Sequence, residues 1–354
     1  MPNHHYYLPA EWYPQSGVQL TWPHEDTDWQ PYLADITEAF ITLSGAIADR
    51  EKLVIATQDT KKVEDLLAGR LSAKAKLNIS VYPCPSNDTW ARDHGAITLI
   101  DDSNDTGSNT NCRLLDFKFN GWGKKFEADK DNAITRNLFK QGAFNGELID
   151  HDDFVLEGGS IESDGKGTIM TTTNCLLAAN RNQPKTQAEI EQELLEHLGA
   201  KRVIWINHGQ LIGDDTDGHI DTIARFAPND TIVYMGCNDK SDPQYDDFTK
   251  METELRSLKT MEGEPYNLVR LPMPHPIYDD GDRLPATYAN FLVINNAVIV
   301  PTYRQPDLDK LAMSLIGNAF PGKEVIGIDA TTMIRQHGSI HCLTMQFPER
   351  AIKQ

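Results

Sequence analysis

The stretch TDGHIDTIARF, Thr216 to Phe226, sets a polar, glycine-bearing knot directly before an apolar, strand-forming run. The same order of events recurs as ARDHGAITLI (91–100), EGGSIESDGKGTIMTT (157–172), ATYANFLVINNAVIV (286–300) and HGSIHCLTMQF (337–347). Corresponding knots lie roughly 50 to 75 residues apart, too far for a solenoid and enough for a strand-rich unit plus a helix. Helix-period apolar spacing appears over 32–50, 61–71, 186–198, 245–258 and 307–319. Short β-like runs occupy 52–57, 78–82, 201–206, 231–235 and 291–301. The fold class is therefore α/β throughout. Repeated units around a centre would bring every knot, with its polar side chains, to one axis.

Bulk properties narrow the function classes. The chain has 354 residues, 40% of them hydrophobic, which is ample for a packed core, and no long Pro/Gly/Ser linker divides it. The one low-complexity insertion, 101–112, has the turn chemistry of an exposed hairpin tip. No run approaches the roughly 18 apolar residues of a membrane helix, and MPNHHYYLPAEWYP lacks the regions of a signal peptide. A cytoplasmic chain with no membrane partner is expected. Five scattered cysteines without a C-x-x-C pair fit neither a disulfide framework nor a zinc ribbon. A formal net charge of −19 argues against nucleic acid, which needs a basic footprint, and favours a small cationic ligand. Association into a homo-oligomer is compatible with all of this.

The knots carry Asp93, Glu157, His219 with Asp221, and Cys342. A guanidinium is planar, cationic and rich in donors, so paired carboxylates such as Asp93 and Asp221 suit it. Its carbon is a poor electrophile, and a thiolate attacks it better than water does, with a histidine to protonate the departing nitrogen. Cys342 and His219 fit those tasks, with Glu157 to orient the imidazole. In a strand, His219 and Asp221 would share one face. An acidic turn opening a half-exposed strand is the plainer alternative for the same residues, and a metal hydrolase through His219, Asp221 and Glu157 is a further one, although no second histidine stands at ligand spacing.

Trp90 would lie over a cation that Asp93 grips, and the missing side chains of Gly158 and Gly159 would let backbone approach a ligand. Cys84, between two prolines, Cys112, in the polar insertion, and Cys175, in an apolar run, read as incidental thiols. His341 would point away from Cys342 on a strand and is not the expected base.

Several long motifs in order, LPAEWYPQSGVQLTWP, NDTWARDHG, LDFKFNGWG, LEGGSIESDGKGTIMTT, CLLAANRNQP, GDDTDGHIDTIARF, LPATYANFLVINNAVIVPTY and HGSIHCLTMQ, together resemble the agmatine deiminase family of the guanidino-group modifying, or pentein, superfamily. The resemblance spans nearly the whole chain. It implies a five-bladed α/β propeller with pseudo-fivefold symmetry formed as a single catalytic domain over 1–354. It also implies hydrolysis of agmatine to N-carbamoylputrescine and ammonia through a thiouronium intermediate, without metal or organic cofactor. The catalytic pattern carries onto Asp93, Glu157, His219, Asp221 and Cys342. Asp214, Asp215 and Asp217 are candidates for the amine tail of the substrate. The sequence departs from the family pattern at QHGSIHC (336–342), where the usual text is GGGNIHC, and KKFEADKDNAI after Trp122 is shorter than in many relatives. A deiminase acting on free or peptide-borne arginine shares the catalytic set, and a non-catalytic polyamine-binding protein is the reading from another class.

Overall fold

A computed structural model describes residues 5–101 and 112–353; the expected hairpin tip of the polar insertion lies outside these residues. The architecture is α/β, with several small sheets instead of one large one. Each knot feeds a strand that pairs antiparallel with the next strand, which then crosses over through a helix to a parallel third strand.

Ile97–Asp101, Cys112–Lys118 and Glu147–Val155 form one such set. Ile161–Ser163, Thr168–Thr172 and Arg202–Ile206 form the second. The third comprises Ala224–Ala227, Thr231–Gly236 and Asn267–Pro272. The fourth comprises Leu292–Ile294, Ala297–Thr302 and Glu324–Asp329. In the last, the C-terminal strand Thr344–Pro348 pairs antiparallel with Gln15–Thr21, which continues in parallel to Lys52–Thr57 and Ile79–Pro83. The two ends of the chain are thus stitched into one sheet. A two-stranded ribbon, Tyr278–Asp279 with Asp282–Arg283, lies outside this scheme.

The crossover helices follow their apolar periodicity. Gln187–Leu198 buries Ile190, Leu194 and Leu198 at four-residue intervals; Thr186 and Glu189 close a capping box at its start, and Gly199 ends it at φ 61°. The expected run 291–301 resolves into two strands, because Asn296 takes φ 63° and turns the chain between Ile294 and Ala297. Two apolar clusters make the core, one around Phe40, Tyr288, Phe291 and Ile299, the other around Phe154, Leu194 and Phe347.

The expected strand face shared by His219 and Asp221 is corrected here. The segment Ile220–Thr222 is a single 3-10 turn with His219 at its N-cap, and the strand begins only at Ala224. Asp217 (φ 68°) and Gly218 (φ 93°) lie in the left-handed region, and Asp214 accepts the Gly218 N–H at 2.7 Å, so the chain folds back before it can extend.

Candidate active site

Each knot turns tightly before its strand and aims a side chain at a common centre. Asp93 sits on the one-turn helix Ala91–His94. Glu157 precedes the 3-10 turn Gly158–Ser160. Cys342 lies in the turn before Thr344–Pro348, and its backbone carbonyl accepts the Arg92 N–H at 3.2 Å, tying the thiol to the Asp93 helix. The fourth knot, which carries no titratable candidate, contributes Asn290. Its Oδ1 accepts the backbone N–H groups of His341 and Cys342 at 3.0 and 3.2 Å.

Asp93, Glu157, His219, Asp221 and Cys342 are brought together and buried. Asp93 Oδ1 lies 3.7 Å from His219 Nδ1 and accepts the Gly159 N–H at 3.0 Å; Oδ2 accepts the Trp122 indole N–H at 2.9 Å. Asp221 Oδ2 stands 3.8 Å from Cys342 Sγ and 2.7 Å from His341 Nδ1, while Oδ1 has no hydrogen-bond partner among the described residues. Gly159 lies against this cluster: a Cβ there would meet His219 Nδ1 at 2.5 Å and Asp93 Oδ1 at 2.9 Å. Gly158, in contrast, packs on the Arg92 carbonyl and lines a separate cavity behind the cluster, away from Cys342.

A cavity leads from the surface to Cys342. Trp90, Trp122 and Phe126 form its apolar walls, and Asp28, Asp88, Asp93, Asp214 and Asp215 its acidic ones; no Lys or Arg is among the lining residues. Trp90 lies so close to Gly338 that a Cβ there would fall 2.0 Å from the indole ring. His337 holds φ 64° in the loop that departs from the family pattern, and its Nδ1 donates to the Gly213 carbonyl at 2.7 Å.

Asp217 does not line this cavity. Its carboxylate is held by Lys125 and Arg181, each at 2.7 Å. Asp214 is committed to its own loop through Thr216 Oγ1 (2.6 Å) and the Gly218 N–H. Asp215 is the loop acid whose carboxylate makes no hydrogen bond among the described residues.

Electrostatics follow from this crowding of acids in a dry centre. Burial, with the charges of Asp221 and Glu157, pushes the Asp93 carboxyl up to about 6 against the pull of His219 and Trp122. For His219 burial opposes the proton, but Asp93, Cys175 and Glu157 together outweigh it and raise the imidazolium well above its ordinary range. Burial and the nearby Asp221 and Asp93 push the Cys342 thiol well up, which favours the protonated sulfur. Burial also raises Asp215.

Cys175, expected to be incidental, is not remote: a Cys175, a Glu157 and a His219 ligand-type atom all lie within 4.8 Å of one another. Glu11, Glu162 and His341 form a similar trio. In each a guanidinium already occupies the carboxylates: Arg181 Nε donates to both Glu157 oxygens at 3.0 and 3.1 Å, and Arg225 pairs with Glu11 and Glu162.

A family model described as Porphyromonas-type peptidyl-arginine deiminase matches residues 7–348. The chain belongs to that family. A member-like relative from Legionella pneumophila (strain Philadelphia 1), named "Putative agmatine deiminase", is 35% identical over 348 residues, covering 97% of this chain and 95% of its own. A Porphyromonas gingivalis structure described as "Putative Arginine Deiminase" is 47% identical, with a TM-score of 0.91 over 98% of this chain and 100% of that one. An agmatine deiminase from C. jejuni, a cysteine-to-serine variant with substrate bound, is 35% identical, with a TM-score of 0.89 over 100% of this chain and 99% of that one.

Within this peptidyl-arginine deiminase family frame, sequence reasoning left out Trp122, Arg181, Asn290 and the Asp221 contact of His341. Trp122 and Arg181 stood inside quoted motifs, LDFKFNGWG and CLLAANRNQP, but no spacing rule links them to Asp93 or Glu157.

Proposed function

We propose that the chain hydrolyses agmatine to N-carbamoylputrescine and ammonia by covalent catalysis at Cys342. One observation carries the choice of substrate. The cavity above the thiol is walled by five carboxylates and aromatic rings, with no Lys or Arg among its described lining residues, which suits a ligand cationic at both ends better than one with a carboxylate tail.

Asp93 and Asp221 accept the guanidinium N–H groups, and Trp90 lies beside the cation. The incoming positive charge offsets the acids that keep Cys342 protonated, so the thiol releases its proton to solvent and the thiolate forms as substrate binds. Sulfur attacks the guanidinium carbon, the C–N bond breaks, and His219 supplies the proton with which ammonia leaves. His219 then takes a proton from the water that attacks the thiouronium carbon, and the carbon–sulfur bond breaks to release the ureido product. Glu157, locked by Arg181, supports His219 from behind, and the N–H of Gly159 orients Asp93. Asp215 receives the tail amine; Asp217 is a structural partner of Lys125 and Arg181 in this scheme.

The five small sheets serve as the blades of a pseudo-fivefold propeller built as one catalytic domain over 1–354, a reading supported by their shared strand order and by the pairing of Thr344–Pro348 with Gln15–Thr21. A cytoplasmic setting is supported by five buried free thiols, and no helix among the described residues is long and apolar enough to cross a membrane.

A second reading, an arginine or peptidyl-arginine deiminase, is favoured by the name of the family and by the P. gingivalis likeness. Ammonia release from agmatine, arginine and a peptidyl-arginine separates the two. Preference for agmatine supports the proposal, and preference for either of the others overturns the substrate assignment.

A further inference from the structure

His341 is buried between two carboxylates. Its Nδ1 lies 2.7 Å from Asp221 Oδ2 and its Nε2 2.7 Å from Glu11 Oε2. An ionised carboxylate only accepts, so Nδ1 donates to Asp221 Oδ2. Arg225 closes the far side, pairing with Glu11 and Glu162 and reaching His341 Nε2 at 3.0 Å. His341 therefore stands outside the substrate cavity yet holds one oxygen of the acid on which guanidinium binding depends. The other oxygen of Asp221 is buried without a partner.

We propose that His341 is a positioning residue that clamps Asp221 Oδ2, so that Oδ1 is presented to the guanidinium. This rests on the reading of Asp221 as a guanidinium acceptor. The groups facing Asp221 are His341 and Cys342 from the C-terminal turn, His219 from its own loop, Asp93, and, further off, Arg225 and Arg92. Burial favours a neutral Asp221, and its carboxyl is nonetheless held below the ordinary range, first by the hydrogen bond and charge of His341 and then by His219 and Arg225. With that donor gone, burial raises the Asp221 carboxyl, and its protonated form ceases to accept two N–H groups.

The test uses calorimetric binding of agmatine, arginine and a peptidyl-arginine to the full-length Cys342→Ser protein between pH 5 and 9. Three further substitutions are compared on that background, with folding followed by thermal unfolding. In His341→Asn the amide nitrogen takes the place of Nδ1 and still donates to Asp221. In His341→Gln it takes the place of Nε2 and reaches only Glu11. Glu11→Gln leaves the Asp221 contact whole. At pH 7 the expected loss of affinity is about tenfold for His341→Asn and about a hundredfold for His341→Gln, the latter shrinking toward pH 9, which corresponds to losing a hydrogen bond to a charged group. Glu11→Gln is expected to stay within about threefold with its pH midpoint unmoved, whatever it costs in stability.

Equal losses in the two His341 variants, a loss independent of pH, or a midpoint moved by Glu11→Gln as far as by His341→Gln would each overturn the proposal. If His341→Gln does not fold, the comparison of His341→Asn with Glu11→Gln decides in the same way. Binding of arginine in place of agmatine would defeat the substrate assignment and leave this test intact, because the guanidinium end is common to both. Binding of none of the three would overturn both.

Discussion

Trp122 donates its indole N–H to Asp93 Oδ2 at 2.9 Å, across 29 residues of sequence. With the Gly159 N–H on Oδ1, this bond fixes both oxygens of the acid that also faces His219. Trp122→Phe keeps the wall and deletes the donor. Loss of a hydrogen bond to a charged group costs about 1.5–3 kcal/mol, so kcat/KM for agmatine is expected to fall roughly ten- to a hundredfold. Steady-state kinetics checks this, and an unchanged kcat/KM would separate the indole from Asp93.

The pH dependence follows from Asp93. Its carboxyl, raised to about 6 by burial, must be ionised to receive a guanidinium. The charged form is lost as pH falls through that value, so kcat/KM is expected to decline below about pH 6 while remaining level just above it. Trp122→Phe removes a bond to the charged form and moves this limb upward. A limb at an ordinary carboxylate value would contradict the assignment.

Gly159→Ala tests how tightly backbone approaches the cluster. The added Cβ would fall 2.5 Å from His219 Nδ1 and 2.9 Å from Asp93 Oδ1, well inside contact distance. A displacement of the two groups by about 1 Å costs on the order of a hundredfold in kcat. Kinetics beside circular dichroism checks it; near-normal turnover would show that His219 and Asp93 need no such closeness.

Arg181 and Glu157 are both without solvent exposure and are paired through Arg181 Nε. Arg181→Met leaves a carboxylate buried without its cation and frees Asp217 Oδ2 and the Thr216 carbonyl. Breaking a buried pair from one side costs about 3–5 kcal/mol, so a clear drop in thermal unfolding temperature is expected. Stability within 1 °C of the parent would mean that Glu157 finds another partner.

Asp215→Asn addresses the tail of the substrate. Removing the charge that receives the amine is expected to raise KM for agmatine about tenfold, the low end for a charge-assisted bond, and to leave n-butylguanidine unaffected. Parallel changes for both compounds would place Asp215 outside tail recognition.

The sequence made the units of this fold legible because knot and strand follow each other locally. Helix 245–258 and strand 52–57 are seen within a residue of their expected bounds for the same reason. Asp93, Glu157, His219, Asp221 and Cys342 could be gathered because each stands at an equivalent place in its unit. The path at His219 was not legible: H-x-D alternation suits a strand, and only the left-handed Asp217 and Gly218 and the grip of Asp214 turn it. The supports of the site were legible least. Trp122 to Asp93 and Arg181 to Glu157 each reach from the crossover of a unit back to its own knot, Asn290 to Cys342 joins two units, and His341 to Glu11 spans 330 residues. Such pairs exist only once the chain has folded back on itself. Hydrogen bonding separates the acids near Gly213, which look alike in sequence, because the carboxylates of Asp214 and Asp217 are already bonded and that of Asp215 makes no hydrogen bond among the described residues.

The most direct measurement is ammonia release from agmatine by the wild-type chain beside Cys342→Ala, the variant's fold confirmed by its unfolding temperature. Saturable release by the wild type and none by the variant is the expected result. Undiminished release by Cys342→Ala would contradict covalent catalysis at this thiol.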